Sequence, residues 1–369
     1  MRRSRAEFGS DTGTDAFGPA VLRAALRSTP EDFVVEERLG FDPAGQGEHL
    51  FLQIEKRGAN TVWVAQQLAR WAGIPESSVG YAGLKDRHAV TRQAFTLHLP
   101  GREPPPLDSL GIEGVRVLAS SRHRRKLPRG ALRANRFVLR LRALEGSPDL
   151  IEARLTQIAR RGVPNRFGSQ RFGHAGGNLV AARAMFAGQR VPRHRRSILL
   201  SAARSELFNR ILDARIRLGA WDTALPGEVF MLDGSHSVFG PVPLDAALEA
   251  RLAGQDIHPT GALWGAGELR STQQVRTIEM AVAAAVPELV DGLQRAGMKQ
   301  ERRALRMPVR ELGWHFEPGA LVLDFELPAG GYATAVLQDL GELRDASPSP
   351  LVAGSSPAGA GDAAAGGSA

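Results

Sequence analysis

The segment Val79-Gly80-Tyr81-Ala82-Gly83-Leu84-Lys85-Asp86-Arg87-His88-Ala89-Val90-Thr91-Arg92-Gln93 sets one carboxylate, Asp86, among Lys85, Arg87 and His88, with glycines close by. If those cations lie near the carboxylate in space they favour its ionised form. That suits a nucleophile or a general base. A plainer reading of the same residues is an Asx turn on a surface loop with solvated basic neighbours. Spacing alone favours the plainer reading, because a short motif without structural context matches often by chance. The flanking elements place Asp86 on a connection. Upstream, Val62, Val64, Ala65, Leu68 and Ala69 recur at near-helical spacing, with Asn60 or Thr61 as cap and Gly73 as stop. Downstream, Phe95, Leu97 and Leu99 alternate with Thr96 and His98, which is strand periodicity. A side chain entering a strand in this way can face a cleft.

Ala82-Gly83-Leu84-Lys85-Asp86-Arg87-His88-Ala89-Val90-Thr91-Arg92-Gln93 closely resembles the signature of the D-class tRNA pseudouridine synthases, the TruD family. Further blocks resemble that family in the family's order: Pro30-Glu31-Asp32-Phe33-Val34-Val35-Glu36, Gly45-Gln46-Gly47-Glu48-His49, His123-Arg124-Arg125-Lys126-Leu127 running to Asn135-Arg136-Phe137, Val163-Pro164-Asn165-Arg166-Phe167-Gly168, Gln170-Arg171-Phe172-Gly173, Ser201-Ala202-Ala203-Arg204-Ser205 and Leu327-Pro328-Ala329-Gly330-Gly331-Tyr332-Ala333-Thr334. The resemblance spans about residues 20 to 343. It implies an isomerase that breaks the C1′ to N1 bond of uridine, lets the uracil turn in its pocket and rejoins it through C5, without cofactor, metal or energy source. Uridine 13 in the D-arm of tRNA is the implied target. Asp86 matches the family's essential aspartate, which either attacks C1′ or removes the C2′ proton. Phe33 and Asn135 match substrate-contacting positions, and Phe137 matches the aromatic that stacks on the target base. Tyr332 stands where the family more usually shows Phe. Arg166 stands where some relatives carry an aromatic and receives no role. On residue types alone, Phe33 and Phe137 lie on apolar strand faces and could be plain core, and Asn135 could simply satisfy backbone groups.

Composition agrees with a nucleic-acid partner. The 369-residue chain carries a net charge of +8, and clustered Lys and Arg attract phosphate through a long-range field that does not depend on sequence. With no cysteine, a disulfide framework, a thiolate nucleophile and Cys-ligated zinc are excluded. Neither an 18-residue apolar run nor a signal-peptide core stands out, so a cytoplasmic, non-membrane protein is expected, and a monomer. Nine histidines show no HExxH pair or ligand-spaced cluster, Gly168 to Gly173 lacks the end of a Walker loop, and no Gly-x-Ser-x-Gly elbow occurs. The basic run Arg122-His123-Arg124-Arg125-Lys126 is followed at once by a strand with Phe137, Leu139 and Leu141 on one face. Arg124, Arg125 and Lys126, with Lys85, Arg87 and His88, are therefore candidate RNA contacts at the rim of a cleft.

The periodicities divide the chain. Residues 1–19 are polar and expected to be loosely ordered until Leu22. Strand patterns follow at 33–38, 50–55, 115–118 and 137–141. From Asp149 the period changes to 3.6, with helices expected at 149–161, 178–186, 197–218, 273–286 and 287–297, and a hairpin at 228–235 with Asp233-Gly234 in its turn. Strand pattern returns at 321–327, then a helix over 333–343. The expectation is an α+β protein. A mixed, largely antiparallel pseudouridine-synthase sheet, from residues 20–161 and 307–345, is interrupted by an inserted α/β domain at 162–306, which the resemblance equates with the TRUD domain. The Ser/Pro/Ala/Gly-rich tail 346–369 is expected to be disordered. A non-catalytic RNA-binding or RNA-chaperone protein of the same fold is the alternative, and intact Lys85-Asp86-Arg87 argues against it.

Overall fold

In the computed structural model, residues 7–8 and 15–347 are described; of the tail 346–369 expected to be disordered, Ala346 donates its amide to the Leu26 carbonyl at 2.8 Å, and 348–369, with most of the N-terminal segment, lie outside the described residues. Glu7–Phe8 does form a short strand, paired antiparallel with Leu343 and Arg344, so part of that segment is anchored.

The long strand Leu132–Glu145 is the axis of an 11-stranded sheet. One edge of it receives Ala320–Pro328 antiparallel over its whole length, from Ala320 opposite Arg142 to Pro328 opposite Ala134. The other edge is shared by Leu22–Leu26 and Phe33–Leu39. Beyond Phe33–Leu39 come Val90–His98, His49–Arg57 and Val115–His123 in that order. Pairings in this sheet are antiparallel except two, Phe33–Leu39 with Val90–His98 and Leu22–Leu26 with Gly341–Asp345. Residues that sit opposite one another share a face. Phe33, Val35 and Glu37 therefore line up with Leu139, Phe137 and Asn135, and these with Leu323, Phe325 and Leu327. This face packs under the helix Pro148–Arg161 through Ile151, Leu155 and Ile158, all fully buried. Each such side chain contributes roughly 1.5–3 kcal/mol relative to exposure.

The helix Thr61–Ala72 packs on a second stretch of the sheet through Val64, Leu68 and Ala72. Its expected punctuation is present: the Asn60 side chain accepts from the Trp63 amide at 2.7 Å, and Gly73 ends it at φ 61°.

A four-stranded antiparallel sheet takes its strands from 230–304 only: Phe230–Leu232, Val238–Phe239, Ile257–Leu263 and Glu301–Ala304. The helix Arg193–Arg217 packs on it through Leu207, Phe208 and Ile211. The chain enters and leaves this region side by side, Val163–Pro164 pairing antiparallel with Arg306–Met307. Gly162 makes the crossing possible: its φ is 72° and a Cβ there would stand 2.5 Å from the Met307 carbonyl oxygen.

Several expectations are corrected. The helix over 333–343 is only Ala333–Gln338, after which Gly341–Asp345 is a strand. At Gly341 a Cβ would meet the Leu22 carbonyl oxygen at 2.1 Å, so glycine lets the strand pair closely with Leu22–Leu26. The long helix starts at Arg193, four residues before Ser197. Its first turn carries cations against the helix dipole, which hides the start in the sequence. The hairpin exists, but Asp233 and Gly234 lie in a longer loop closed by the Leu232 amide bonding to the Ser237 carbonyl at 3.0 Å. Strands at Ile257–Leu263 and Arg310–Glu317 were not expected.

Candidate active site

Asp86 lies on the connection into Val90–His98, and its side chain is 37% exposed. The loop around it is fixed from three sides. Thr61, the first residue of its helix, accepts from the Lys85 amide at 3.0 Å and donates to Gln93 at 2.8 Å. Gln93 in turn donates to the Gly83 carbonyl. Arg87 donates to the Gly58 carbonyl at 3.1 Å, and Lys56 donates to the Asp86 carbonyl at 3.0 Å. One carboxylate oxygen of Asp86 accepts from the His88 amide at 3.0 Å, so the Asx turn is present. The other oxygen faces a cation.

That cation is none of its sequence neighbours. Lys85 turns inward to a buried pair with Glu37 at 2.9 Å, where its side chain is 6% exposed. Arg27 supplies the charge instead: it meets Asp86 at 2.9 Å and Asp345 at 3.0 Å. Its guanidinium lies 4.2 Å from the Phe33 ring centroid, and its backbone has φ 59°. A non-glycine residue in that region is uncommon, and persists where the surroundings over-determine it. Two carboxylates and an aromatic face do so here. Asp345 is held below its ordinary value: burial pushes it up, but bonds from Ser347 and the charge of Arg27 outweigh that.

The other resemblance-derived positions converge through sheet register. Asn135 sits opposite Glu37, the partner of Lys85, and its buried Oδ1 has no hydrogen-bond partner. A buried acceptor without a partner is costly, and suits a ligand N–H. Phe137 stacks on Phe325 at 5.5 Å and meets Phe33 edge-on at 6.3 Å. Phe33 and Phe137 are 4% and 6% exposed, so as they stand they are core aromatics, and a stacked base would require the Arg27 cap or its neighbours to move. Tyr332 is the open aromatic of this region at 62% exposed. It follows Leu327, the partner of Asn135, by five residues, and among the described residues it makes no hydrogen bond to Asp86.

The basic run is placed less favourably. His123 ends its strand opposite His49, which is opposite His98, whereas Arg57 opposite Val90 marks the end near Asp86. Along the strand these ends are roughly 26 Å apart. Arg124 and Arg125 are exposed, and Lys126 donates to the Ser77 carbonyl. The same register gathers three histidines that look scattered in sequence, His49 stacking on His98 at 4.6 Å. Among the described residues, however, no group of three His, Asp or Glu could hold a metal ion.

The model of the family described as tRNA pseudouridine synthase D (TruD) matches residues 21–185 and 178–340. The chain belongs to the TruD family. A curated TruD relative from Xanthomonas axonopodis pv. citri, named tRNA pseudouridine synthase D, is 54% identical over 349 residues, covering 90% of this chain and 95% of that one. One from Methylococcus capsulatus is 48% identical over 337 residues with the same coverage. A crystal structure assigned to TruD from Methanosarcina mazei superposes with a TM-score of 0.75 over 90% of this chain and 96% of that one, at 21% identity, which shows the fold. Arg27, Lys56 and Asp345 are the positions the TruD signature reading missed. Arg27 stands three residues before Pro30 in a matching block, a weak signal, and Asp345 stands beyond the last block.

Proposed function

We propose that this TruD chain isomerises uridine 13 of tRNA to pseudouridine, with Asp86 as the catalytic carboxylate. The observation that carries the reading is the Asp86 side chain itself: half-exposed, set by a hydrogen-bonded loop and faced by Arg27 across 2.9 Å, with the unpartnered Asn135 acceptor opposite Glu37, the partner of Lys85. In this reading a flipped uridine enters over Asp86, and Arg27 leaves the carboxylate to engage the nucleotide. Asn135 takes the uracil N–H, Tyr332 closes over the base, and Phe33 and Phe137 form the apolar floor. Asp86 opens the C1′ to N1 bond, either by attack at C1′ or by removal of the C2′ proton. The uracil turns and C5 bonds to C1′, either displacing the Asp86 carboxylate from C1′ or with return of the proton to C2′; the C5 proton then leaves and N1 takes one up. The sheet from 20–161 and 307–345 is the catalytic domain and 162–306 an inserted domain, with tRNA between them. A cleft of about 1590 Å³ lined by Arg154, Arg166, Phe167 and Asp339 supports that separation. No helix among the described residues is long and apolar enough to cross a membrane, consistent with a cytoplasmic enzyme.

Carbodiimide mapping of a tRNA pool incubated with the protein tests this. New pseudouridine at position 13 is expected with the natural chain and none with Asp86→Asn, whose tRNA binding is retained. Pseudouridine formation by Asp86→Asn at the natural rate would sink the assignment.

A further inference from the structure

Lys56 is wholly enclosed, 0% exposed, on the strand that runs beneath the Asp86 loop. Its ammonium donates to the Ala59 carbonyl at 2.7 Å and the Asp86 carbonyl at 3.0 Å. No carboxylate among the described residues hydrogen-bonds or ion-pairs with it. An enclosed charge held by carbonyl dipoles alone is expensive. A methionine or leucine would fill the same space without that cost, so packing does not account for a lysine. The charged groups facing it are Asp86 and Lys85, both from the same loop. Its rung partners on the neighbouring strands, Thr91 and Val115, bring no charge. The lysine thus ties the Ala59 carbonyl to the Asp86 main chain, and the carboxylate it faces is that of Asp86.

We propose that Lys56 is a positioning residue of the isomerisation, whose protonated amine pins the Asp86 main chain and holds positive charge beneath its carboxylate. This rests on Asp86 being the catalytic group. Charge-assisted bonds are roughly twice as strong as neutral ones, so the neutral amine releases the loop. Burial, the largest influence, brings the ammonium down to about 8, with Asp86 opposing the fall and Lys85 adding to it. The loss of the proton therefore falls within reach of ordinary assays.

The chain has four lysines, Lys56, Lys85, Lys126 and Lys299, so 13Cε-lysine labelling gives a spectrum simple enough to assign by Lys→Arg replacement. One resonance is expected to titrate near 8, to vanish in Lys56→Arg, and to move to lower pH in Asp86→Asn, because the raising influence of Asp86 is gone. An unchanged midpoint in Asp86→Asn would overturn the coupling. In single-turnover assays at saturating enzyme, Lys56→Met is expected to lower the rate by about tenfold to a hundredfold with tRNA affinity kept. The natural chain should lose rate above pH 8, a limb absent from Lys56→Arg on the same tRNA. A Lys56→Met rate within twofold of natural, or an identical alkaline limb in Lys56→Arg, would overturn the proposal. Circular dichroism and tRNA affinity identify variants that fail to fold, and the resonance shift in Asp86→Asn decides if they do. Turnover by Asp86→Asn would instead overturn the catalytic assignment, whatever Lys56 does.

Discussion

Arg27 joins three things that are far apart in the chain: the carboxylate of Asp86, the ring of Phe33 and the carboxylate of Asp345. Its planar fork can hold two carboxylates at once, which a lysine ammonium does only as a point charge. Its Nε is buried without a partner and its backbone is strained, so the arrangement is held by the ion pairs rather than by local preference. Replacing Arg27 by Gln removes the cation at Asp86 and strands Asp345. The single-turnover rate should fall by about tenfold to a hundredfold, with a smaller loss of tRNA affinity, and Arg27→Lys should restore part of the rate. A natural rate in Arg27→Gln would mean that the pair only packs the loop. None of this follows from the residues next to Asp86 in sequence, each of which has other business: Glu37 for Lys85, the Gly58 carbonyl for Arg87, and a backbone turn for His88.

Among the elements, the side-by-side crossing at Val163–Pro164 and Arg306–Met307 is stiffened by a relay of polar groups. Arg306 donates to His258 Nδ1 at 3.0 Å, which leaves the Nε2 hydrogen for Asp233 at 2.9 Å. Asp233 also pairs with Arg310, on a strand of the large sheet. Burial pushes the Asp233 carboxyl up, but the His258 bond and the charge of Arg310 outweigh that and hold it below its ordinary 3.8. A depressed folded value adds stability that is present above the unfolded value and lost as pH falls through the folded one. Asp233→Asn should therefore cost about 1.5–3 kcal/mol in urea unfolding at pH 7. The difference should shrink at pH 3, below the ordinary value, where the carboxyl of the unfolded chain is already taking up its proton. An equal loss at both pH values would place the effect in packing. Asp233 reads in sequence as a hairpin-turn residue, and it does lie in that loop. Its partners are 25 and 77 positions away, and local pattern cannot report them. The helix Thr61–Ala72 and the alternating strands were legible because cap, stop and periodicity are local. The strand Gly341–Asp345 was not, because its identity depends on Leu22–Leu26 lying alongside.

Across the whole molecule, the +8 charge has two exposed groups of cations without acidic partners among the described residues. Arg124 and Arg125 leave the sheet at the end remote from Asp86, while Arg193, Arg195 and Arg196 occupy the first turn of the helix Arg193–Arg217. Cations there oppose the helix dipole, and they are kept although they weaken the helix. If the target nucleotide sits at Asp86, as proposed, the rest of the tRNA extends well beyond the site, and both groups are candidates for phosphate contact. Phosphate contacts position and base contacts specify. Replacing Arg193, Arg195 and Arg196 together by Gln should lower the log-log salt slope of tRNA binding by about one unit per lost phosphate contact. The single-turnover rate at saturation and the choice of uridine should stay as they are. Arg124 and Arg125 replaced together should do the same on a smaller scale, since there are two charges. Should the triple variant keep the natural slope while the double variant loses it, the tRNA lies along the large sheet, and the 162–306 region contacts it only near the cleft. A changed target uridine in either variant would mean that those arginines read shape at the target itself, which for Arg124 and Arg125 their distance from Asp86 along the sheet makes hard to reconcile with the fold.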